Sequence, residues 1–360
     1  MASSLDRLRP ELLKLSAYQV ADASGLIKLD AMENPYDWSP ELRQAWQQHL
    51  AQAKLNRYPQ PDPIALKEKL RSRFGPHSDA AIILGNGSDE LIQLLALAVA
   101  KPGACALNVS PSFSMYSIIA ELVGLKSVVV DLDQQFELNM DAILAAIAEH
   151  DPALIFLAYP NNPTGNLWPR EDIYRILEAS SGLVVIDEAY GPFAADSFTD
   201  DLVRYENALL LRTASKLGLA GIRFGWLAAA PALMAELNKI RLPYNINELT
   251  QLTMDFALDH YEVFAQQAEQ ICASRSHMLE TLRVLEGIEV YPSEANFVLI
   301  RLLQKDATEL FQQLRDEDAI LIKNLSQQAG LAQCMRLTVG TEPENQALCE
   351  AITRRLAAKA

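Results

Sequence analysis

The chain has 360 residues, half of them apolar, with a formal net charge of −15 and a sequence pI near 4.8. This length exceeds the usual size of one domain, so one large and one smaller domain are expected. The acidity argues against nucleic acids and anionic membranes as partners, because both carry negative charge and would repel the protein.

The first fifteen residues carry charges throughout and have no long apolar core, so they do not resemble a secretory signal. The longest apolar stretch, around Leu91–Ala100, is too short to span a bilayer. The four cysteines are widely scattered and form no C-x-x-C pair, which is typical of reduced cytosolic thiols. These patterns together predict a cytoplasmic protein.

Short apolar runs alternate with helical patterns over the first two thirds of the chain. Such alternation predicts an α/β fold, with a mostly parallel sheet between helices. The candidate strands are Ala81–Leu84, Ala104–Val109, Ser127–Val130, Leu154–Ala158, Leu183–Ile186, Ala208–Leu211 and Trp226–Ala229. The candidate helices between them include Leu91–Val99, Met140–Ala148 and Glu171–Ala179.

The pattern changes near Leu242-Pro243, where a long helical stretch from Thr250 to about Leu285 begins. Short strands separated by helices follow, which predicts a smaller α+β domain. We therefore expect residues 31–244 to form the large domain, and residues 1–30 with 245–360 to form the small one. The candidate strands of the small domain are Ile288–Tyr291, Phe297–Arg301 and Arg336–Val339.

Polar, glycine-rich or titratable residues directly follow five of the predicted strands. In open α/β sheets, ligands bind beyond the carboxyl ends of the strands. The sequence therefore predicts a binding site at this edge of the sheet. The five segments are Gly85–Ser88, Ser110–Phe113, Tyr159–Asn162, Asp187–Tyr190 and Thr213–Lys216.

The segment Gly85–Ser88 joins a predicted strand to a predicted helix. Its glycines let backbone amides approach an anion, and the helix N-terminus adds partial positive charge, so this turn suits a phosphate. Asp89 and Glu90 would repel that phosphate unless their carboxylates point elsewhere. Arg223 could supply the compensating charge.

Lys216 follows a strand among small and apolar neighbours, where a lysine loses its proton readily, as a Schiff-base amine requires. Taken alone, it would be interpreted as an ordinary surface lysine. Asp187 ends an apolar strand and could pair with a protonated pyridine nitrogen. A helix cap or a metal ligand is the alternative for Asp187, although no histidine with ligand spacing accompanies it. Tyr190 could offer a phenol to the same ring, and Pro163 restricts the backbone of Asn162.

These residues, in this order, resemble the fold-type-I aminotransferases that depend on pyridoxal phosphate. Within that group the chain most resembles the histidinol-phosphate aminotransferase family. The resemblance covers most of the chain, well beyond a single motif. The matching segments are Glu33–Tyr36, Asn56–Pro59, Gly85–Glu90, Pro111–Tyr116, Tyr159–Asn166, Val185–Tyr190, Arg212–Gly225, Ala295–Phe297 and Met335–Gly340.

The resemblance implies that pyridoxal 5′-phosphate is the cofactor and assigns residues to it. It implies that Lys216 is the Schiff-base lysine and proton shuttle, and that Asp187 pairs with the pyridine nitrogen. Asn162 and Tyr190 are implied to hold the 3-oxygen, while Phe113, in place of the family's common tyrosine, stacks on the ring. The residues implied to surround the phosphate are Ser88, Asp89, Ser215 and Arg223.

The same resemblance implies substrate-binding residues and a partner. Tyr58 matches a residue that reaches the phosphate from the neighbouring subunit, which implies a homodimer. Arg336 matches the arginine that binds the substrate's carboxylate or phosphate. Lys323 stands where an arginine commonly helps to bind the substrate's phosphate. Tyr18 and Asn34 are further candidates for substrate binding.

The implied reaction converts histidinol phosphate and 2-oxoglutarate to imidazole-acetol phosphate and glutamate, a step of histidine biosynthesis. An aromatic amino-acid aminotransferase and a threonine-phosphate decarboxylase are alternatives on the same fold. A nicotinamide-dependent dehydrogenase is an alternative of another class, suggested by the parallel sheet and by Gly85-x-Gly87. It leaves the Lys216 and Asn162 motifs unexplained. A non-catalytic regulator that binds the cofactor is disfavoured by the strong acidity.

Overall fold

The structure is a computed structural model that describes residues 4–9, 12–14, 21–75 and 80–357. Its strands, in chain order, are β1 (Ile27–Lys28), β2 (Ala81–Gly85), β3 (Cys105–Ser110), β4 (Lys126–Asp131), β5 (Leu154–Ala158), β6 (Leu183–Asp187), β7 (Ala208–Thr213), β8 (Gly225–Ala229), β9 (Ile288–Val290), β10 (Phe297–Leu302), β11 (Ile320–Leu321), β12 (Lys323–Asn324) and β13 (Cys334–Thr338). Its α-helices are α1 (Pro40–Leu50), α2 (Ile64–Phe74), α3 (Ser88–Val99), α4 (Met115–Leu122), α5 (Met140–His150), α6 (Arg170–Ala179), α7 (Pro231–Leu237), α8 (Glu248–Asp259), α9 (Tyr261–Arg283), α10 (Ala307–Asp316) and α11 (Glu342–Ala357).

A seven-stranded sheet forms the centre of the molecule and confirms the predicted mostly parallel arrangement. Its strand order is β2-β8-β7-β6-β5-β3-β4, in which β8 runs antiparallel to both of its neighbours. Every residue of β5 is buried. Ile155 and Leu157 belong to one apolar cluster, whereas Leu154 and Phe156 belong to another. Side chains alternate across a strand, so these two clusters cover the two faces of the sheet.

A second sheet of four strands has the order β12-β13-β10-β9 and is antiparallel throughout. Its apolar side chains pack with those of α9, α10 and α11 in a core of their own. The N-terminal segment joins this part of the molecule, because β1 pairs in parallel with β11. The strands of the seven-stranded sheet precede residue 244 in the chain, and those of the four-stranded sheet follow it. The domain limits themselves stay a prediction.

The predicted helical stretch from Thr250 to about Leu285 is wrong in one respect, because it consists of two helices. Between α8 and α9, His260 adopts φ −113° and ψ 25°, which is not helical. Its ring packs against Phe256, with 4.3 Å between the ring centroids. A break of one residue barely changes the spacing of apolar positions, so the sequence pattern does not reveal it. Among the described residues, no helix is both long and apolar enough to cross a membrane.

Candidate active site

The carboxyl ends of the central strands open into a cavity of about 250 Å³. The segment that follows β1 covers it, since Ala31, Met32 and Glu33 also line its wall. A larger hollow of about 690 Å³ lies between α9 and α11, and none of the predicted site residues lines it. The predicted cofactor residues that line the smaller cavity are Ser88, Asp89, Phe113, Asn162, Asp187, Tyr190, Ser215, Lys216 and Arg223.

Lys216 lies in the short turn Ser215–Leu217 that follows β7. Its Nζ atom donates a hydrogen bond to the carbonyl oxygen of Ala31, at 3.2 Å. Burial, followed by the positive charge of Arg336, lowers the pKa of Lys216 to about 8. The site therefore provides an amine that is partly neutral at physiological pH, as nucleophilic attack requires.

Asp187 is the last residue of β6, and only 4% of its surface is exposed. One carboxylate oxygen accepts a hydrogen bond from the amide of Ala189 at 3.0 Å, and the other accepts one from the Tyr116 hydroxyl at 2.7 Å. Burial raises the pKa of Asp187 to about 6, and the bond from Tyr116 opposes this rise. The carboxylate is thus fixed in orientation at the floor of the cavity.

Tyr116 also lines the cavity, although no sequence motif marks it as a site residue. It lies on α4, three residues after Phe113, and only 1% of its surface is exposed. Its ring stacks in parallel on Phe156, with 4.6 Å between centroids, and Phe113 packs edge-on against it at 5.4 Å. The family resemblance includes the segment Pro111–Tyr116, but nothing in the sequence identifies Asp187 as the partner of the Tyr116 phenol.

Tyr190 and Asn162 lie on the wall of the cavity. The Tyr190 ring packs edge-on against Phe297, and the Lys216 Nζ atom lies 5.5 Å from its centroid. Burial raises the pKa of Tyr190, so its phenol stays protonated at neutral pH. The amide oxygen of Asn162 accepts a hydrogen bond of 2.6 Å from Arg336.

Arg336 lies on β13 and is buried. Besides its bond to Asn162, its Nη2 atom donates to the carbonyl oxygen of Asp30 at 2.8 Å. Arg336 therefore links the second sheet both to the loop after β5 and to the segment that covers the cavity. Lys323 on β12 is the residue paired with Arg336 in the strand register, which places the two cationic side chains beside each other.

One end of the cavity is built to attract an anion. The helix α3 starts at Ser88, directly after Gly87, and its N-terminus carries partial positive charge. The Arg223 guanidinium lies against this turn, with its Nη1 atom 3.4 Å from the Ser215 hydroxyl. Gly87 has φ +83°, and a Cβ atom there would come within 2.6 Å of the Arg223 Nη2 atom. Only glycine lets the arginine approach the backbone this closely.

The carboxylates of Asp89 and Glu90 are both engaged, which answers the repulsion expected from the sequence. Glu90 accepts hydrogen bonds from the Asn86 amide at 2.6 Å and from the Asn245 side chain at 2.8 Å. Asp89 lies 3.3 Å from the Arg223 Nη2 atom. Glu90 thus stabilises the turn, and the Arg223 guanidinium compensates for the charge of Asp89.

Four predicted residues are not among those that line the cavity, namely Arg336, Lys323, Tyr58 and Asn34. The place of Asn34 beside the substrate stays a prediction. Its amide donates to the Leu217 carbonyl at 3.1 Å and to Gln267 at 2.9 Å, so it supports the turn that carries Lys216. Tyr58 is 81% exposed on the surface. Tyr18 lies outside the described residues.

Residues 24–352 match the model of the family described as aminotransferase class I and II. The chain belongs to this family. Because aminotransferases of this family use pyridoxal phosphate, membership confirms the predicted activity class and the predicted cofactor.

The comparisons also confirm the narrower resemblance. The chain is 51% identical to histidinol-phosphate aminotransferase 2 of Nitrosococcus oceani, with 96% of each chain covered. It is 49% identical to the histidinol-phosphate aminotransferase of Chromobacterium violaceum, over 96% of this chain and 97% of that one. The solved histidinol-phosphate aminotransferase of Sinorhizobium meliloti, in complex with pyridoxal-5′-phosphate, shares the fold, with a TM-score of 0.86, 24% identity and 98% of each chain covered.

The residues of the cavity fit pyridoxal phosphate in charge and in chemistry. A helix N-terminus, an arginine and the space left by Gly87 suit the phosphate group at one end. The buried carboxylate of Asp187 suits a protonated ring nitrogen. The Lys216 amine, with its lowered pKa, suits the aldehyde.

Proposed function

We propose that this protein is a histidinol-phosphate aminotransferase that converts histidinol phosphate and 2-oxoglutarate to imidazole-acetol phosphate and glutamate. The observation that carries the chemistry is the amine of Lys216, which shares one cavity with the buried carboxylate of Asp187 and the anion-binding turn at Ser88. The choice of substrate is supported by relatives of that name that are 46–51% identical over almost the whole chain.

Each residue around the pyridine ring would contact a different part of the cofactor. Bound pyridoxal phosphate supplies an electron sink for the carbon that carries the substrate's amino group. Asp187 would hold the protonated ring nitrogen, while Asn162 and Tyr190 would donate hydrogen bonds to the 3-oxygen. The Lys216 Nζ atom, partly neutral at physiological pH, would take the proton from the substrate carbon and pass it to the cofactor. Phe113 would cover one face of the ring.

The other end of the cavity would hold the phosphate of the cofactor. The amides at the start of α3, with Ser88 and Asp89, would face it, and the Ser215 hydroxyl and Arg223 would complete its surroundings. A guanidinium can bind phosphate through two parallel hydrogen bonds, which a lysine cannot do.

Arg336 is the proposed anchor for the anionic end of each substrate. Its guanidinium matches both the phosphate of histidinol phosphate and a carboxylate of 2-oxoglutarate. Lys323, its neighbour in the strand register, adds a second positive charge. Because both substrates use one arginine, the second can enter only after the first product leaves, and ping-pong kinetics are expected. Tyr18 remains a proposed substrate contact.

We also propose that the protein acts as a homodimer in the cytoplasm. Tyr58 and Tyr244 are both exposed and stack on each other, with 4.5 Å between ring centroids. Further large apolar side chains are exposed near these two residues in the sequence. Aromatic side chains are enriched at protein interfaces, and Tyr58 would reach the partner's cofactor phosphate. All four cysteines are free thiols, in keeping with a reducing compartment. The exposed side chains are Leu55, Tyr58, Ile64, Leu242, Tyr244 and Leu249.

A comparison of three substrates tests the function, with histidinol phosphate, phenylalanine and phosphothreonine each offered together with 2-oxoglutarate. We expect kcat/KM for histidinol phosphate to exceed that for phenylalanine at least about 100-fold, because a site built for phosphate rejects an amine that lacks it. The Lys216→Ala variant serves as the inactive control. A preference for phenylalanine, or release of carbon dioxide from phosphothreonine, would contradict the proposal. The fold cannot decide this, since the L-threonine-O-3-phosphate decarboxylase of Porphyromonas gingivalis also matches, with a TM-score of 0.76 at 24% identity, over 92% of this chain and 100% of that one.

A further inference from the structure

Asp187 receives its strongest hydrogen bond from a residue that has no assigned part in the reaction. The carboxylate has two oxygens, and one of them is held by the Ala189 amide of its own turn. The other is held by the Tyr116 hydroxyl at 2.7 Å, from a helix 71 residues away in sequence. A bond of this length to a carboxylate belongs to the strong, charge-assisted class.

The Tyr116 ring has almost no freedom to move. It is 1% exposed and stacks in parallel on Phe156 of β5, with an angle of 1° between the ring planes. Phe113, the residue expected to cover the cofactor ring, packs edge-on against it. The hydroxyl is therefore aimed at Asp187 by the packing of two strands and a helix, before any ligand enters.

Tyr116 can act only as a donor toward Asp187. Burial, followed by the negative charge of Asp187, raises the pKa of Tyr116 well above its ordinary value, so the phenol keeps its proton. Donation to the carboxylate favours its charged form, whereas burial favours the neutral form. Without the phenol, burial and the nearby carboxylates of Asp89 and Glu188 would act on Asp187 with only the Ala189 amide to oppose them.

We propose that Tyr116 is a positioning residue that keeps the Asp187 carboxylate ionised and turned toward the ring nitrogen of the cofactor. The inference rests on the proposed pairing of Asp187 with that nitrogen. Tyr116 thereby stabilises the bound cofactor through Asp187, without taking part in the proton transfers at Lys216.

A double-mutant cycle on cofactor affinity tests this inference. The dissociation constant of pyridoxal phosphate is measured for the wild type, Tyr116→Phe, Asp187→Ala and the double variant. We expect Tyr116→Phe to raise the constant about tenfold in the presence of Asp187, the size of one charge-assisted hydrogen bond. In the Asp187→Ala background, where the partner is missing, we expect a change of less than about twofold. The absorption band of the bound cofactor should shift in Tyr116→Phe, which a purely structural role would not cause.

Tyr291→Phe is the matched control, because it removes another largely buried phenol that donates to a carboxylate, Glu289, at 2.6 Å. This variant should keep the wild-type affinity and spectrum. An unchanged affinity in Tyr116→Phe, or the same loss in both backgrounds, would overturn the role of Tyr116. An unchanged affinity in Asp187→Ala would instead overturn the proposed role of Asp187 itself, so the two failures are distinct.

Discussion

The state of single residues in the cavity is set by burial and by a few neighbouring charges. Lys216 loses its proton more easily because it is buried and because Arg336 is positive, while Glu33 and Asp89 act in the opposite direction. Arg336 is thus expected to serve twice, as the anchor for the substrate's anion and as a charge that keeps the amine neutral. The effect of Arg336 on the pKa of Lys216 can be tested apart from substrate binding, through the pH dependence of cofactor capture.

The capture of pyridoxal phosphate by the cofactor-free protein should depend on pH with a midpoint near 8, the pKa of Lys216. Only the neutral amine attacks the aldehyde, so capture should be faster above this pH and slower below it. In Arg336→Gln a positive charge is lost, the protonated amine becomes more favourable, and the midpoint should move upward. The rise of the bound cofactor's absorbance after mixing measures the rate at each pH.

Arg301→Gln is the control for this experiment. Arg301 lies on β10 of the same sheet as Arg336, but its guanidinium packs over Phe136 and Tyr291. The Arg301→Gln substitution should leave the midpoint of cofactor capture unchanged. A midpoint in Arg336→Gln at or below that of the wild type would show that Arg336 does not depress the pKa of Lys216.

At the residue scale, the sequence predicted the groups at strand ends and missed those that act through tertiary contacts. Lys216, Asp187 and Asn162 follow apolar strands, so topology alone brings them to one edge of the sheet. Tyr116 sits on the buried face of α4 with Ile119 and Ala120, where its spacing resembles that of an ordinary core residue. The sequence therefore gives no sign that the Tyr116 hydroxyl donates a hydrogen bond to a carboxylate.

At the scale of elements, the anion-binding turn depends on how closely two strands and a helix approach. The antiparallel strand β8 lies between β2 and β7, which places Gly225 directly against the start of α3. A Cβ atom on Gly225 would come within 2.8 Å of the backbone at Gly87 and Ser88. Close packing against the backbone therefore requires glycine at position 225, whereas Gly87 is favoured by its positive φ and by the approach of the Arg223 side chain.

Gly87→Ala should weaken the binding of pyridoxal phosphate about tenfold or more, because the new methyl group displaces Arg223 from the phosphate position. Gly103→Ala is the matched control. Gly103 has φ +84°, close to the φ of +83° at Gly87, but a Cβ atom there would meet nothing within 4 Å. Both substitutions should lower the unfolding free energy through backbone strain, by about 1–3 kcal/mol at Gly87, whose ψ of 169° lies in a region that only glycine adopts readily. Only Gly87→Ala should change cofactor affinity. Equal affinities in the two variants would contradict this account.

The strands of the large sheet were predicted well, because each contains an apolar run of at least three residues. The short strands β1, β11 and β12 were missed, since two residues are too few to show a pattern. Their pairing depends on contacts between distant parts of the chain, such as Ile27 with Ile320. Local sequence does not contain that information.

At the scale of the whole molecule, the proposed dimer makes each active site depend on two chains. Tyr58 is 81% exposed in a single chain, and it stacks on Tyr244. A tyrosine that binds a phosphate in the neighbouring subunit should be exposed in this way before assembly. The Tyr58→Ala variant should therefore bind cofactor weakly although its own Lys216 is intact.

Hybrid dimers test this sharing of residues between chains. A Tyr58→Ala chain co-expressed with a Lys216→Ala chain should form dimers with one complete site, containing Lys216 from the first chain and Tyr58 from the second. Activity should exceed that of either variant alone. Pairing Tyr58→Ala with a chain that carries both substitutions supplies no Tyr58 and should give no gain. Absence of recovery in the first hybrid would show that Tyr58 does not act across the interface.

The most direct test of the central claim is to locate the bond between protein and cofactor. Borohydride reduction of the holoenzyme, followed by proteolysis and mass spectrometry, identifies the lysine that carries the pyridoxyl phosphate group. We predict loss of the visible absorption band and a single labelled lysine, Lys216, with no label in the Lys216→Ala variant. Labelling of a different lysine, or no stable label at all, would contradict the assignment of Lys216 as the residue that carries the cofactor.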